Sequence, residues 1–118
     1  MLLVEDNRNL RLTTSRMLEH LGFEVTAVAG GAEAVAAFRD GPARPDVVFL
    51  DVVLPGMDGM ETLRSIRALA SDARVVMCSG SADDLERASR EGNATAVLPK
   101  PYDVDSLSAT LRRVLGET

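Results

Sequence analysis

Aromatic residues, cysteine and histidine are scarce in this sequence. Its 118 residues contain no tryptophan, one tyrosine, one cysteine and one histidine, and aromatic residues make up 3% of the chain. A single cysteine, Cys78, excludes an internal disulfide and fits a reducing cytoplasm, where we expect the protein to act. Cys78 directly follows the apolar run 75–77, so it is interpreted as a small buried hydrophobe. The single histidine, His20, cannot by itself build a histidine-based metal site or catalytic triad.

Long apolar runs and basic runs are absent as well. A membrane-spanning helix needs about 18 or more consecutive apolar residues, and no run in this sequence approaches that length. The net charge of −5 and the lack of a basic cluster argue against nucleic-acid binding by this domain. The length and the 46% hydrophobic content predict one domain over residues 1–118 with a single core.

Short apolar runs alternate five times with amphipathic segments along the chain. The predicted strands are 1–4, 23–28, 47–50, 74–78 and 95–98, and the predicted helices are 9–21, 32–39, 60–69, 83–91 and 104–115. Gly22 is expected to end the first helix in a left-handed conformation, and Pro42 and Gly92 are expected to mark two further helix ends. The alternation predicts an α/β fold: a five-stranded parallel sheet, doubly wound, with the flavodoxin-like strand order 2-1-3-4-5.

The stretch 46–59 places one acidic residue at the end of a buried strand. Its run 47–50 is continuously apolar, as in a parallel strand covered on both faces. Asp51 follows directly, at the sheet edge where open α/β sheets bind their ligands. The pairs at 55–56 and 58–59, Pro-Gly and Asp-Gly, predict a loop after it. From this stretch alone, Asp51 is either the cap of a turn or a chemically active group.

Two further carboxylates are predicted to lie beside Asp51. The first strand ends in Glu5 and Asp6, and the predicted strand order brings that end next to the third strand. Three neighbouring carboxylates repel one another unless a cation neutralises them, and Mg²⁺ with oxygen ligands fits, joined by a backbone carbonyl near Val53. The alternative is that Glu5 and Asp6 form a solvated turn and helix cap, contributing about 1 kcal/mol.

The last two predicted strands also end in polar side chains. The fourth strand is followed by Ser79 and the fifth by Lys100, which lies between two prolines. Lys100 can pair with Asp51 at rest and with a phosphoryl oxygen afterwards, and the Ser79 hydroxyl can hydrogen-bond a new oxyanion. A metal ion, an ammonium group and a hydroxyl around a carboxylate acceptor suit phosphoryl transfer.

These residues make the chain resemble the receiver domain of two-component response regulators. The resemblance rests on LLVEDN at 2–7, FLDVVLPGMDG at 49–59, Ser79-Gly80 and LPKPY at 98–102, and it covers essentially the whole chain. It implies that Asp51 is the phosphoacceptor, which attacks a phosphohistidine of a histidine kinase or histidine phosphotransfer protein. It further implies a magnesium site formed by Glu5, Asp6, Asp51 and the Val53 carbonyl. It also implies that Ser79 is a switch hydroxyl, that Lys100 is the site lysine, joined to Pro101 by a cis peptide bond, and that Gly59 is a loop glycine.

One position departs from the family pattern. The family often has Tyr or Phe three residues before the lysine, and this chain has Val97, whose side chain is too small for the usual inward swing. We therefore expect the surface of the fourth helix, fifth strand and fifth helix to respond mainly through backbone movement. Val53 is apolar and cannot position a water molecule, so we also expect slow to moderate self-dephosphorylation.

Several alternatives remain open from the sequence. The domain could stand alone as a regulator or belong to a longer transcription factor or hybrid histidine kinase. The EDN opening at 5–7, the LPKPY segment and a chain that ends soon after the fifth predicted helix resemble the receiver of a hybrid kinase. A metal-dependent phosphatase would need a second acid two residues after Asp51, where Val53 stands. A pseudo-receiver would lack the acidic, hydroxyl and lysine set. The partner kinase and any homodimerisation on phosphorylation are not determined by the sequence.

Overall fold

Five strands alternate with five helices in the computed structural model of the chain, which describes residues 1–41, 45–91 and 94–116. The strands are β1 (Leu2–Val4), β2 (Thr26–Val28), β3 (Val48–Asp51), β4 (Val75–Ser79) and β5 (Ala96–Pro99). The helices are α1 (Arg8–His20), α2 (Gly31–Asp40), α3 (Gly59–Leu69), α4 (Ala82–Arg90) and α5 (Val104–Val114). No helix within the described ranges is long and apolar enough to cross a membrane.

All four strand pairings are parallel, in the order β2-β1-β3-β4-β5. This confirms the predicted fold class and strand order. β1 and β3 pair with Val4 opposite Leu50, and β3 and β4 pair with Asp51 opposite Cys78. The carboxyl ends of the central strands therefore meet at one edge of the sheet.

Two hydrophobic clusters cover the two faces of the sheet. Side chains alternate along each strand, so Val48 and Leu50 pack with α2, α3 and α4, while Phe49 packs with α1 and α5. Cys78 belongs to the second cluster and is buried, as predicted, and burial raises the pKa of its thiol. This packing on both faces of the sheet positions the strand ends that carry the polar residues.

The second strand is shorter than the sequence suggested. It was predicted over 23–28, but only Thr26–Val28 pairs, because its neighbour β1 offers just three residues. Phe23 and Val25 pack against the α1 and α5 cluster without pairing. Gly22 has a φ of 98° and confirms the predicted left-handed helix end, whereas Pro42 and Gly92 lie outside the described residues.

The later strands lie one residue further along the chain than predicted. β3 includes Asp51, β4 includes Ser79, and β5 ends at Pro99, next to Lys100. Helix α4 buries only Ala88 fully, while Leu85 is half-buried. The thin apolar face predicted for this helix is thus observed.

Candidate functional site

Three carboxylates converge at the carboxyl edge of the sheet. Glu5 and Asp6 follow β1, Asp51 ends β3, and one oxygen of each lies within 4.8 Å of the others. The parallel pairing of β1 with β3 brings them together, as predicted. Glu5 and Asp51 are only 2% and 5% exposed, whereas Asp6 is exposed. The cluster therefore has a buried side and an open side.

Lys100 links the two buried carboxylates. Its Nζ donates to Asp51 Oδ2 at 2.6 Å and to Glu5 Oε1 at 2.9 Å. The sequence predicted the pair with Asp51; the second bond, to Glu5, was not anticipated. The lysine side chain is 22% exposed, so it contacts both carboxylates without being fully buried itself.

Burial and hydrogen bonding shift the protonation equilibria of this cluster in opposite ways. Burial raises the pKa of Glu5, although the Asn7 amide and Lys100 work against it. Burial opposes the charged form of Lys100, but its bonds to Asp51 and Glu5 outweigh burial and raise the pKa of its ammonium group. Lys100 is therefore a permanent cation at neutral pH.

Ser79 lies at the end of β4 and is 3% exposed. Its hydroxyl donates to Asp84 Oδ2 at 3.3 Å and accepts from the Ser81 amide at 3.0 Å. Ser81 also caps α4, because its hydroxyl accepts from the Asp84 amide at 3.3 Å. The predicted switch hydroxyl is thus joined to the first turn of α4.

The loop after β3 orients Asp51. The Val53 amide donates to Asp51 Oδ1 at 3.1 Å, and the Val53 side chain is 62% exposed. Gly59 begins α3, and a Cβ there would overlap the Asp51 carbonyl oxygen, so only glycine allows the loop to return this closely. Gly56 has a φ of 72°, as expected for the predicted turn.

The remaining predicted site residues lie around this centre. The Lys100-Pro101 peptide bond is cis, as the resemblance implied. Gly80 is exposed, with open space around it. Val97 on β5 is half-buried and packs against the cluster that contains α4. It offers no aromatic ring at this position.

Arg11 and Tyr102 make contacts near the site that were not predicted from the sequence. The Arg11 guanidinium donates to the backbone carbonyls of Glu5 at 2.9 Å and Asp6 at 3.3 Å, which ties α1 to the acidic loop. The Tyr102 hydroxyl and Thr14 Oγ1 lie 2.7 Å apart, and the Tyr102 ring packs edge-on against Phe49 at 5.5 Å. Thr14 lies in the helix predicted over 9–21, and no pattern in the sequence pairs its side chain with Tyr102.

The family model described as "Response regulator receiver domain" matches residues 1–112. The chain belongs to this family. The resemblance drawn from the sequence is confirmed, and so is the role that defines the family: this receiver domain is a module of two-component signalling.

Two curated relatives of this receiver domain come from different kinds of protein. It is 40% identical over 115 residues to the transcriptional regulatory protein CseB of Streptomyces coelicolor, covering 97% of this chain and 48% of CseB. It is 34% identical over 115 residues to the sensor kinase CckA of Brucella abortus, covering 97% of this chain and 12% of that kinase. The chain thus spans about half the length of CseB and a small part of CckA.

A solved receiver domain supports the same fold. The receiver domain of the sensor histidine kinase PA1611 from Pseudomonas aeruginosa superposes with a TM-score of 0.87 at 30% identity, covering 98% of this chain and 96% of that one. That structure has a magnesium ion coordinated in its active-site cleft. The likeness holds over nearly the whole of both chains.

Proposed function

We propose that this receiver domain is a phosphoacceptor and that Asp51 is its acceptor residue. The observation that carries the proposal is the position of Asp51: it is buried at the sheet edge, 2.6 Å from the Lys100 ammonium and within the carboxylate cluster. The donor is a phosphohistidine of a histidine kinase or histidine phosphotransfer protein. The domain turns over no other substrate, so it acts as a signalling element rather than as an enzyme in the usual sense.

The transfer needs one nucleophilic oxygen and a stabilised phosphoryl group. A carboxylate oxygen of Asp51 attacks phosphorus, the P–N bond breaks, and its electron pair returns to the imidazole. Lys100 stabilises the charge on the phosphoryl oxygens from one side. Loop residues 53–59 hold Asp51 in place through the Val53 amide and the close approach of Gly59.

The donor set fits Mg²⁺, a hard cation that prefers oxygen ligands. Oxygens of Glu5, Asp6 and Asp51 come within 4.8 Å of one another, and these residues, with the Val53 carbonyl, would hold the ion. When bound, it supplies charge neutralisation for the phosphoryl oxygens. Arg11 supports the site by holding the loop of Glu5 and Asp6 against α1.

After transfer, the Ser79 hydroxyl and Lys100 bind the new phosphoryl oxygens. This rearrangement changes the surface formed by α4, β5 and α5. Because Val97 carries no ring that could swing inward, backbone movement near α4 conveys most of the change. A Cβ at Gly80, between Ser79 and α4, would meet no atom within 4 Å, so no close packing opposes a movement there.

We further propose that residues 1–118 form one domain, that it acts in the cytoplasm, and that it contacts no nucleic acid or membrane itself. Transcriptional output, as the name of CseB suggests for that protein, would require another segment or partner. Similarity to part of a sensor kinase supports the alternative of a hybrid kinase receiver. A homodimer of the phosphorylated domain is a further proposal, compatible with each of these alternatives.

Labelling with acetyl phosphate and Mg²⁺, read by intact-protein mass, tests the acceptor assignment. The wild type is expected to gain one phosphoryl group. Hydroxylamine should remove it, because hydroxylamine cleaves acyl phosphates, and Asp51→Ala is expected to gain none. Asp72→Ala is the control, because Asp72 is exposed and precedes β4 at the opposite edge of the sheet. Equal labelling of wild type and Asp51→Ala would overturn the proposal.

A further inference from the structure

The Ser79 hydroxyl is already engaged in the unphosphorylated protein. It donates a hydrogen bond to Asp84 Oδ2 at 3.3 Å, and its oxygen accepts one from the Ser81 amide. A hydroxyl has one proton and can be a full donor to only one acceptor at a time. If Ser79 is to donate to a phosphoryl group on Asp51, its bond to Asp84 has to break.

We propose that Asp84 is a positioning residue that holds the Ser79 hydroxyl on α4 and so limits phosphorylation of Asp51. This inference rests on the proposed function and identifies a residue that regulates the same site. Asp84 touches neither the acceptor nor the phosphoryl group; it acts through Ser79. On phosphorylation the Ser79 hydroxyl stops donating a hydrogen bond to Asp84 and donates to the phosphoryl group instead, which releases the first turn of α4.

The surroundings of Asp84 make α4 the element that responds. Ser79, Ser81 and Asp84 form a closed set of three hydrogen bonds that links the end of β4 to the start of α4. Beyond this set, α4 has a single fully buried side chain, Ala88. An element with few buried contacts opens at a low free-energy cost. Each of these hydrogen bonds therefore contributes a significant part of the free energy that holds the first turn of α4 in place.

The chain supplies a matched control in Asp83. It lies beside Asp84 in the first turn of α4, where both carboxylates favour the helix N-terminus. Asp83 is exposed, and replacing it removes the same charge from the same turn without touching Ser79. A difference between the two alanine variants therefore reports the bond to Ser79 and not helix capping or net charge.

The test measures the apparent Kd of beryllofluoride, a phosphoryl analogue, with Mg²⁺ by NMR titration of the isotope-labelled protein. Asp84→Ala is expected to bind beryllofluoride about fivefold more tightly than wild type. Wild type must first break the hydrogen bond from Ser79 to the charged Asp84, whereas this variant lacks that bond. Asp83→Ala is expected to bind like wild type. Asp84→Asn, which keeps an acceptor oxygen but not the charge, is expected to fall between Asp84→Ala and wild type.

A double-mutant cycle separates positioning from a structural effect. In a Ser79→Ala background, Asp84→Ala is expected to leave the beryllofluoride Kd unchanged, since there is no hydroxyl left to hold. A shift that persists in that background, an equal shift in Asp83→Ala, or no shift in Asp84→Ala would each overturn the inference. Failure of the wild type to bind would overturn the proposed function as well, whereas binding with equal Kd in all variants would overturn the inference alone.

Discussion

Replacing Lys100 by methionine tests how the site is held together. Lys100 is the only lysine in the sequence, and its Nζ hydrogen-bonds to Asp51 and Glu5 at 2.6 and 2.9 Å. Methionine keeps much of the side-chain length but removes the charge and all donors. Two nearly buried carboxylates are then left facing each other without their cation.

The expected loss follows from the burial of the partners. Removing one partner of a buried ion pair typically costs about 3–5 kcal/mol, because the remaining charge is uncompensated. Lys100 is 22% exposed, so solvent screens part of its interaction. We therefore expect the free energy of unfolding to fall by about 3 kcal/mol, the low end of that range. For a domain of this size the melting temperature would drop by about 10 °C.

The pH dependence of the loss gives a second signature. Burial already raises the pKa of Glu5, and Lys100 is one of the groups that lower it. Without Lys100 the pKa of Glu5 rises further, so the folded variant keeps a proton that the unfolded chain has lost. The loss of unfolding free energy due to Glu5 is then complete above its raised pKa. This loss disappears as pH falls from that pKa toward the pKa of Glu5 in the unfolded chain. The deficit relative to wild type should be smaller near pH 5 than near pH 7.5.

Urea unfolding of both proteins, monitored by circular dichroism without Mg²⁺, measures this difference. Arg90→Met is the control, because the ion pair of Arg90 with Glu86 is exposed on both sides and such pairs contribute less than about 1 kcal/mol. A Lys100→Met loss no larger than that of the control would refute the reasoning. So would a deficit that does not change between the two pH values.

Two further predictions concern the support of the site. Burial raises the pKa of Tyr102 to about 12, so tyrosinate absorbance of this sole tyrosine should appear only as pH approaches 12, against about 10 in urea. Because the unfolded chain loses this proton first, the free energy of unfolding should fall between about pH 10 and pH 12. A titration midpoint of about 10 in the folded protein would contradict the burial argument. Gly59→Ala should destabilise the domain by about 3 kcal/mol in urea unfolding, since its Cβ would overlap the Asp51 carbonyl oxygen. Gly80→Ala, with open space around its site, should change stability by less than about 0.5 kcal/mol, and equal effects of the two alanines would count against this account of the loop.

Local chemistry explains why most of the fold could be predicted. Buried parallel strands are continuous apolar runs, and turn residues mark their ends, so Asp51, Ser79 and Lys100 stood out at strand ends. The second strand was predicted too long because apolar residues at 23 and 25 resemble a strand. Its true length depends on the three residues that β1 offers for pairing, and a neighbour's length cannot be inferred from the strand's own sequence.

The sequence by itself was enough to predict the strand order, the polar residues at the strand ends and the convergence of Glu5, Asp6 and Asp51. Alternating strands and helices indicate a doubly wound sheet, and the order 2-1-3-4-5 is a common one for such sheets. Only the tertiary structure decided which partners these groups choose. Lys100 reaches Glu5 as well as Asp51, and the Ser79 hydroxyl turns to Asp84 on α4. Such choices depend on strand register and side-chain rotamers to within about 1 Å, because a hydrogen bond is made or lost over that distance.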